Sequence, residues 1–270
     1  MAGFSRRVFL AAAGLAPVAL GAADADPLTG VDFRKLISQA DLIYAKPVPR
    51  SEEGIPVGNG RMGSLVWTTP TELHLQINRV DVYGNDCTTN SFFERHNDYC
   101  GGCGYVDIDF GGEADGPFPD AGFTQHLSVY DGELNIEARG VRLRMVATPE
   151  SDVMAISVED SRAKRGPITV RLRMLRYETK YFGAQLEAYA RDHVVNVQTF
   201  SHTAASRLLI EDDRIALTQE FREGNYCCKS AVAIRVAGSE GNTRFLNETD
   251  VELTAAGGTF TVLIASAASF

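Results

Sequence analysis

The sequence has little positive charge and no long apolar run beyond its N-terminal segment. Its 270 residues carry 26 lysines and arginines against 35 aspartates and glutamates, which gives a formal net charge of −9. An acidic surface repels the phosphate backbone, so we predict no nucleic-acid partner. Because no apolar stretch after the N-terminal segment is long enough to span a bilayer, we also predict no membrane association once that segment is removed.

Cysteines are few and odd in number, so they cannot form a complete disulfide framework. An odd total of five leaves at least one thiol unpaired within the chain. His96 and Asp98 lie beside a Cys-x-x-Cys pair, a set that could ligate zinc, but an exported chain meets oxidising conditions in which thiols pair or stay buried. We predict no metal and no cofactor and leave the disulfide state open for Cys87, Cys100, Cys103, Cys227 and Cys228.

The first 25 residues have the order of an export signal. Arg6 and Arg7 precede Phe-Leu, the apolar run 11–20 and a small-residue stretch that ends at Ala25. Charged, apolar and small residues in this order are typical of a cleavable signal, and paired arginines indicate the twin-arginine route. The apolar run has about half the length that a membrane-spanning helix needs. We therefore predict a twin-arginine signal peptide over residues 1–25 and a periplasmic or extracellular mature chain.

Helical periodicity is almost missing as well. It is present only near residues 33–44 and 184–191, whereas short segments elsewhere alternate apolar and polar residues between turn pairs such as Asp131-Gly132 and Gly257-Gly258. Strands that recur about every ten residues, in a number larger than one immunoglobulin-like domain needs, are typical of a large sandwich. The sequence predicts an all-β fold over residues 26–270, with two antiparallel sheets and one or two short helices.

The most distinctive residues occupy positions 54–84. Gly58, Gly60 and Gly63 surround Asn59 and Arg61, a spacing that suits a tight turn with positive φ. The following residues, 65–67 and 72–77, predict two neighbouring strands, and Trp67 is expected in the core. Amide, guanidinium, carboxylate and phenol groups follow at the end of the second strand, where loops commonly carry function.

These residues resemble the opening block of the N-terminal domain of glycoside hydrolase family 95. The family pattern Pro-x-Gly-Asn-Gly-Arg-x-Gly is matched in full, and the later polar residues Asn78, Asp81 and Tyr83 match it loosely. Arg79 stands where the family has Glu, which indicates a divergent branch. The matched block residues are Pro56, Gly58, Asn59, Gly60, Arg61 and Gly63.

The resemblance implies both a fold and a partner. It implies a super-sandwich similar to galactose mutarotase, acting on carbohydrate, followed by a helical (α/α)₆ barrel that holds the catalytic carboxylates. No such helical region is present in this sequence. We expect residues 26–270 to be the non-catalytic N-terminal module of a longer, exported glycoside hydrolase.

Candidate binding residues come from the polar groups in the predicted loops. We assign no catalytic residue, because the retaining and inverting mechanisms both need two facing carboxyl groups and no such pair is identifiable. Asp107 and Asp109 share one strand face, which we expect to be solvated. The predicted substrate-binding residues are Arg61, Asn78, Arg79, Asp81, Tyr83, His96 and Asp98.

Two other functions are compatible with the sequence. One is a stand-alone carbohydrate-binding module that uses Tyr83, Asp98 and neighbouring loops. The other is a self-sufficient sandwich enzyme, similar to a mutarotase or a polysaccharide lyase, in which His96, His126 or His193 acts with a nearby carboxylate as acid and base.

Overall fold

A computed structural model describes residues 30–83, 100–111, 116–174, 187–199, 202–223 and 225–270. The predicted signal peptide, His96, Asp98 and Cys87 lie outside these residues, so predictions about them stay predictions. The chain divides into two units, Met1–Ala40 and Asp41–Phe270.

The described part of the first unit holds one short helix. Helix α1, Phe33–Ile37, starts after Asp32, whose side chain accepts a hydrogen bond of 2.9 Å from the backbone N–H of Lys35, and a 3-10 turn, Ser38–Ala40, follows it. Among the described residues, no helix is long and apolar enough to cross a membrane.

The second unit is a sandwich of two antiparallel sheets, which confirms the predicted fold class. Eighteen strands occur among the described residues: β1 Leu42–Tyr44, β2 Ile55–Gly58, β3 Met62–Thr68, β4 Glu72–Tyr83, β5 Cys100–Asp109, β6 Thr124–Ser128, β7 Glu133–Ala138, β8 Val141–Ala147, β9 Val153–Asp160, β10 Ile168–Arg173, β11 Glu187–Arg191, β12 Val194–Thr199, β13 His202–Glu211, β14 Arg214–Glu223, β15 Tyr226–Ala237, β16 Gly241–Phe245, β17 Asp250–Ala255 and β18 Thr259–Ser269.

The strands form one large and one smaller sheet. The eleven-stranded sheet has the order β1-β6-β7-β8-β9-β18-β15-β14-β13-β12-β11, and the seven-stranded sheet has the order β16-β17-β10-β5-β4-β3-β2. The last strand, β18, lies between β9 and β15 in the middle of the large sheet. The C-terminal apolar pattern is therefore a central strand that joins two groups of hairpins.

Alternating side chains of both sheets meet in one core. Leu73, Leu75 and Ile77 of β4 face the same interior as Val262 and Ile264 of β18, and all five are fully buried. Burial of aliphatic side chains at about 25 cal/mol per Å² of apolar area is the main favourable contribution to such a fold. The period of two in the sequence thus decides which face of each strand is internal.

Adjacent cysteines follow the same alternation. Cys228 of β15 is buried in the core, whereas Cys227 is half-buried on the other face of the strand. Both are free thiols. Cys103 of β5 is also buried in the core.

Both helical predictions need correction. Residues 33–44 form only one helical turn and a 3-10 turn before Leu42–Tyr44 pairs with β6 as strand β1. Of residues 184–191, the described part is strand β11, whose register with β12 pairs Arg191 with Val194 across a turn where Asp192 and His193 have φ of 52° and 59°. A partner strand supplies ladder hydrogen bonds that outweigh weak helix propensity.

Candidate functional site

The Gly-Asn-Gly-Arg motif forms the turn between β2 and β3. The Asn59 side-chain oxygen accepts hydrogen bonds of 2.9 Å from the backbone N–H groups of both Arg61 and Met62. Gly60 has a φ of +87°, a conformation that favours glycine. The asparagine and the second glycine of the motif are thus explained by turn geometry.

Asn59 also reaches the other sheet. Its amide nitrogen donates to the backbone carbonyl oxygens of Thr148 at 2.9 Å and Ser151 at 3.1 Å, both in the loop between β8 and β9. One side chain therefore closes a turn of the small sheet and ties it to a loop of the large sheet.

Arg79 is the centre of a second link between the sheets. It lies on β4, has a relative exposure of only 3%, and directs Nε and Nη2 at the two carboxylate oxygens of Asp81 at 2.7 and 2.6 Å. Its Nη1 donates to Ser266 Oγ of β18 at 2.9 Å and lies 3.0 Å from Asp152 Oδ2 in the β8–β9 loop. We call Arg61, Arg79, Asp81, Asp152 and Ser266 the inter-sheet clamp.

The charges of the clamp stabilise one another. The hydrogen bonds from Arg79 hold the pKa of the Asp81 carboxyl below its ordinary value. Burial alone would raise the pKa of Asp152, but hydrogen bonds from Arg61 and Arg79 outweigh burial and lower it. Hydrogen bonding to Asp81, in turn, raises the pKa of Arg79. All three groups are therefore ionised at neutral pH.

Three of the predicted binding residues come together in the clamp. Arg61, which is exposed, reaches Asp152 Oδ1 at 2.7 Å and thereby joins Arg79 and Asp81. Asp152 was missed, because the sequence does not show that a loop of the other sheet returns to this point.

The other predicted residues do not join the clamp in the described structure. Asn78 donates locally to the Gln76 carbonyl oxygen at 3.3 Å. Tyr83 ends β4, and its backbone pairs with Cys100. His96 and Asp98 lie outside the described residues.

A second polar cluster lies on the outer face of the seven-stranded sheet. The strand registers align one side chain from each of six strands in a row across this face, with charges of alternating sign from the third residue onward. The row consists of Trp67, His74, Asp107, Arg171, Glu252 and Arg244. Neighbouring opposite charges on one sheet face stabilise each other.

Asp107 is the most enclosed member of the row. It has a relative exposure of 3%, lies 2.6 Å from His74 Nδ1 through Oδ1, and accepts a hydrogen bond of 2.6 Å from Arg173 Nε through Oδ2. Burial would raise the pKa of Asp107, but the hydrogen bonds from His74 and Arg173 outweigh it and lower that pKa. Asp107 shares its face with Asp109 as predicted, but the expectation that it is solvated is wrong.

Trp67 and His74 complete this cluster at the β3–β4 hairpin. Trp67 is buried as expected, but it lies outside the inter-sheet core and stacks on the His74 ring with centroids 5.3 Å apart. The Nε2 atom of His74 lies 3.2 Å from the Thr69 hydroxyl and 3.4 Å from Glu72 Oε2. His74 was not singled out in the sequence: alternation places it on the outer face of β4, but only the register of β4 with β5 places it opposite Asp107.

Two further described histidines, His126 and His193, each have a carboxylate partner. His126 Nε2 lies 2.9 Å from Asp41 Oδ2, in a pair at the edge of the large sheet. His193 stacks on Phe245 at a centroid distance of 3.7 Å, and its Nδ1 lies 3.8 Å from Glu248 Oε2. In the part of the chain that the structure describes, no group of three or more His, Cys, Asp or Glu side chains could hold a metal ion.

The sequence profile of a family described as a domain of unknown function, DUF5703, matches residues 43–223. The chain belongs to this family. No curated protein matches the sequence. Among solved structures, a putative kojibiose phosphorylase from the human microbiome is similar at 12% sequence identity with a TM-score of 0.46. The alignment covers 85% of this chain and 32% of that one, so the DUF5703 chain spans about a third of the phosphorylase.

Replacing Arg79 in the DUF5703 chain tests the clamp. Arg79→Met removes a buried cation, leaves Asp81 without its partner and leaves Asp152 with Arg61 alone, so we expect the free energy of unfolding to fall by about 3 kcal/mol. Arg222→Met is the matched control: this exposed arginine pairs with Glu220 on the surface of β14, and its loss should cost about 1 kcal/mol or less. Urea unfolding followed by circular dichroism measures both, and equal losses would contradict a structural role for Arg79.

Acid should weaken the fold through the same carboxylates. Asp81, Asp107 and Asp152 have pKa values below their ordinary value in the folded chain. Their contribution to stability is therefore complete above the pKa of an aspartate in the unfolded chain, about 4. It is lost as the pH falls through their lower pKa values in the folded chain. We expect the unfolding free energy to drop below about pH 5.

Urea titrations from pH 7 to strongly acidic buffer measure this dependence. In Asp152→Asn the slope below the ordinary aspartate pKa should be shallower, whereas Glu150→Gln, at an exposed position of the same loop, should keep the wild-type slope. An unchanged slope in Asp152→Asn would show that the clamp does not contribute to acid sensitivity.

Proposed function

We propose that this chain is the N-terminal β-sandwich of an exported, carbohydrate-active enzyme related to glycoside hydrolase family 95. In this role it does not cleave the glycosidic bond but supports a helical catalytic domain. The proposal draws its substrate class from the Gly-Asn-Gly-Arg block and its export from the twin-arginine pattern of residues 1–25.

One observation is the main evidence for a role that supports the catalytic domain. Polar groups of the block are already hydrogen-bonded to the other sheet: Asn59 to Thr148 and Ser151, and the predicted binding residue Arg79 to Ser266. Arg79 also bonds to Asp81 on its own strand. A buried guanidinium with its donors engaged cannot bind a sugar hydroxyl without first losing those bonds. The block therefore builds the scaffold.

The outer face of the eleven-stranded sheet is suited to contact with a partner domain. Its register aligns a row of small or apolar residues across five central strands, all of them half-buried and none of them charged. The row consists of Val153, Ala265, Ala233, Ala216 and Leu209. Small side chains let another layer of secondary structure approach closely, so this face is the one that we assign to the helical domain.

The DNA that follows the codon for Phe270 tests the proposal first. We expect it to encode several hundred residues with an amphipathic helical pattern, in the same or a shifted frame. An intergenic region with a distant next gene would overturn the proposal.

Co-purification then tests the assigned face. When the mature chain is co-expressed with the segment encoded downstream, Ala233→Glu should abolish their co-purification, because it places an unpaired charge in the row. Thr254→Glu, on the outer face of the other sheet, is the matched control and should leave it intact. Loss with both variants, or with neither, would contradict the assignment of this face.

A further inference from the structure

Hydrogen bonds connect three side chains in series, two at the β3–β4 hairpin and one on β5. Thr69 Oγ1 lies 3.2 Å from His74 Nε2, and His74 Nδ1 lies 2.6 Å from Asp107 Oδ1. Thr69 is half-buried in the turn after β3, beside the exposed Pro70, whereas Asp107 is buried beneath the imidazole. This series of hydrogen bonds leads from a half-buried hydroxyl to a buried carboxylate.

The negative charge of Asp107 determines which nitrogen of His74 carries a proton. Asp107 is ionised and accepts a second hydrogen bond from Arg173 Nε, so the Nδ1 atom of a neutral His74 must carry the proton that Asp107 accepts. Nε2 then holds the lone pair, and the Thr69 hydroxyl donates to it. This is the arrangement in which a histidine withdraws a proton from an attacking hydroxyl.

A second carboxylate lies beside the same nitrogen atom of His74. Glu72 Oε2 lies 3.4 Å from the same Nε2 atom. It cannot donate to a neutral imidazole, but it attracts an imidazolium. Trp67 stacks on the ring and fixes its plane. His74 is therefore placed to exchange Thr69 for Glu72 as its partner when it gains a proton.

We propose that Thr69, His74 and Asp107 form a nucleophilic site that cleaves acyl esters, an activity separate from the supporting role proposed above and independent of it. Thr69 Oγ bonds to the ester carbonyl carbon while its proton moves to His74 Nε2. The bond between that carbon and the alcohol oxygen breaks, and the alcohol leaves with the proton from His74. Water, deprotonated by His74, then releases the carboxylic acid and restores the Thr69 hydroxyl.

Each residue has a distinct part in this step. Thr69 and His74 are catalytic residues, because they contact the reacting carbon or the transferred proton. Asp107 and Arg173 are positioning residues: the carboxylate holds the tautomer and the plane of the ring, and the guanidinium keeps that carboxylate ionised.

Covalent labelling tests the site on the mature chain. The probes are p-nitrophenyl acetate and diisopropyl fluorophosphate, and peptide mass mapping after quenching locates the adduct. We expect the acyl or phosphoryl group on Thr69, no adduct at this position in Thr69→Val, and labelling at least tenfold slower in His74→Asn. Thr71→Val, in the same turn, is the matched control and should label at the wild-type rate.

A pH profile separates positioning by Asp107 from a merely structural effect. In Asp107→Asn, the pH of half-maximal labelling should move downward, because the imidazolium loses an anionic partner. If that variant unfolds, as judged by circular dichroism, Arg173→Gln gives a second reading of opposite sign: it removes the cation that shares Asp107 with the imidazolium, so the pH of half-maximal labelling should move upward. An unlabelled Thr69 in folded wild-type protein, or equal labelling in His74→Asn, would overturn the proposal.

Discussion

The described sandwich depends on one buried cation. Arg79 lies where the two sheets meet, and its guanidinium bonds to Asp81 on its own strand, to Ser266 on β18 and to Asp152 in the β8–β9 loop. An arginine in this environment is stable only when its donors are engaged. The position of the Gly-Asn-Gly-Arg turn follows from this, because Arg61 and Asn59 contact the same loop of the large sheet.

The two outer faces of the sandwich differ in chemistry. Across the small sheet, side chains of alternating charge lie side by side, and His74 and Asp107 are enclosed there together with Trp67. Across the middle of the large sheet, the corresponding row is uncharged and has small side chains at Ala233 and Ala265. We therefore assign potential chemistry to the first face and association to the second.

The sequence predicts what depends on alternation and on turn chemistry. The period of two places Leu73, Leu75 and Ile77 in the core and separates Cys227 from Cys228, and the glycines locate the turn at Gly60. It does not predict contacts that depend on sheet order and register. Asp152 reaches Arg79 only because β9 neighbours β18, and Arg173 reaches Asp107 only because β10 neighbours β5. Residues 187–191 were misjudged because the partner strand β12, not local propensity, decides their structure.

A double-mutant cycle between Arg79 and Asp152 tests the central claim most directly. Urea unfolding of Arg79→Met, Asp152→Asn and the double variant gives the coupling free energy between the two side chains. Groups in one hydrogen-bonded network couple by about 0.5–3 kcal/mol, and we predict a value in the upper half of that range. If the two substitutions are additive to within about 0.5 kcal/mol, the inter-sheet clamp does not hold the sandwich together.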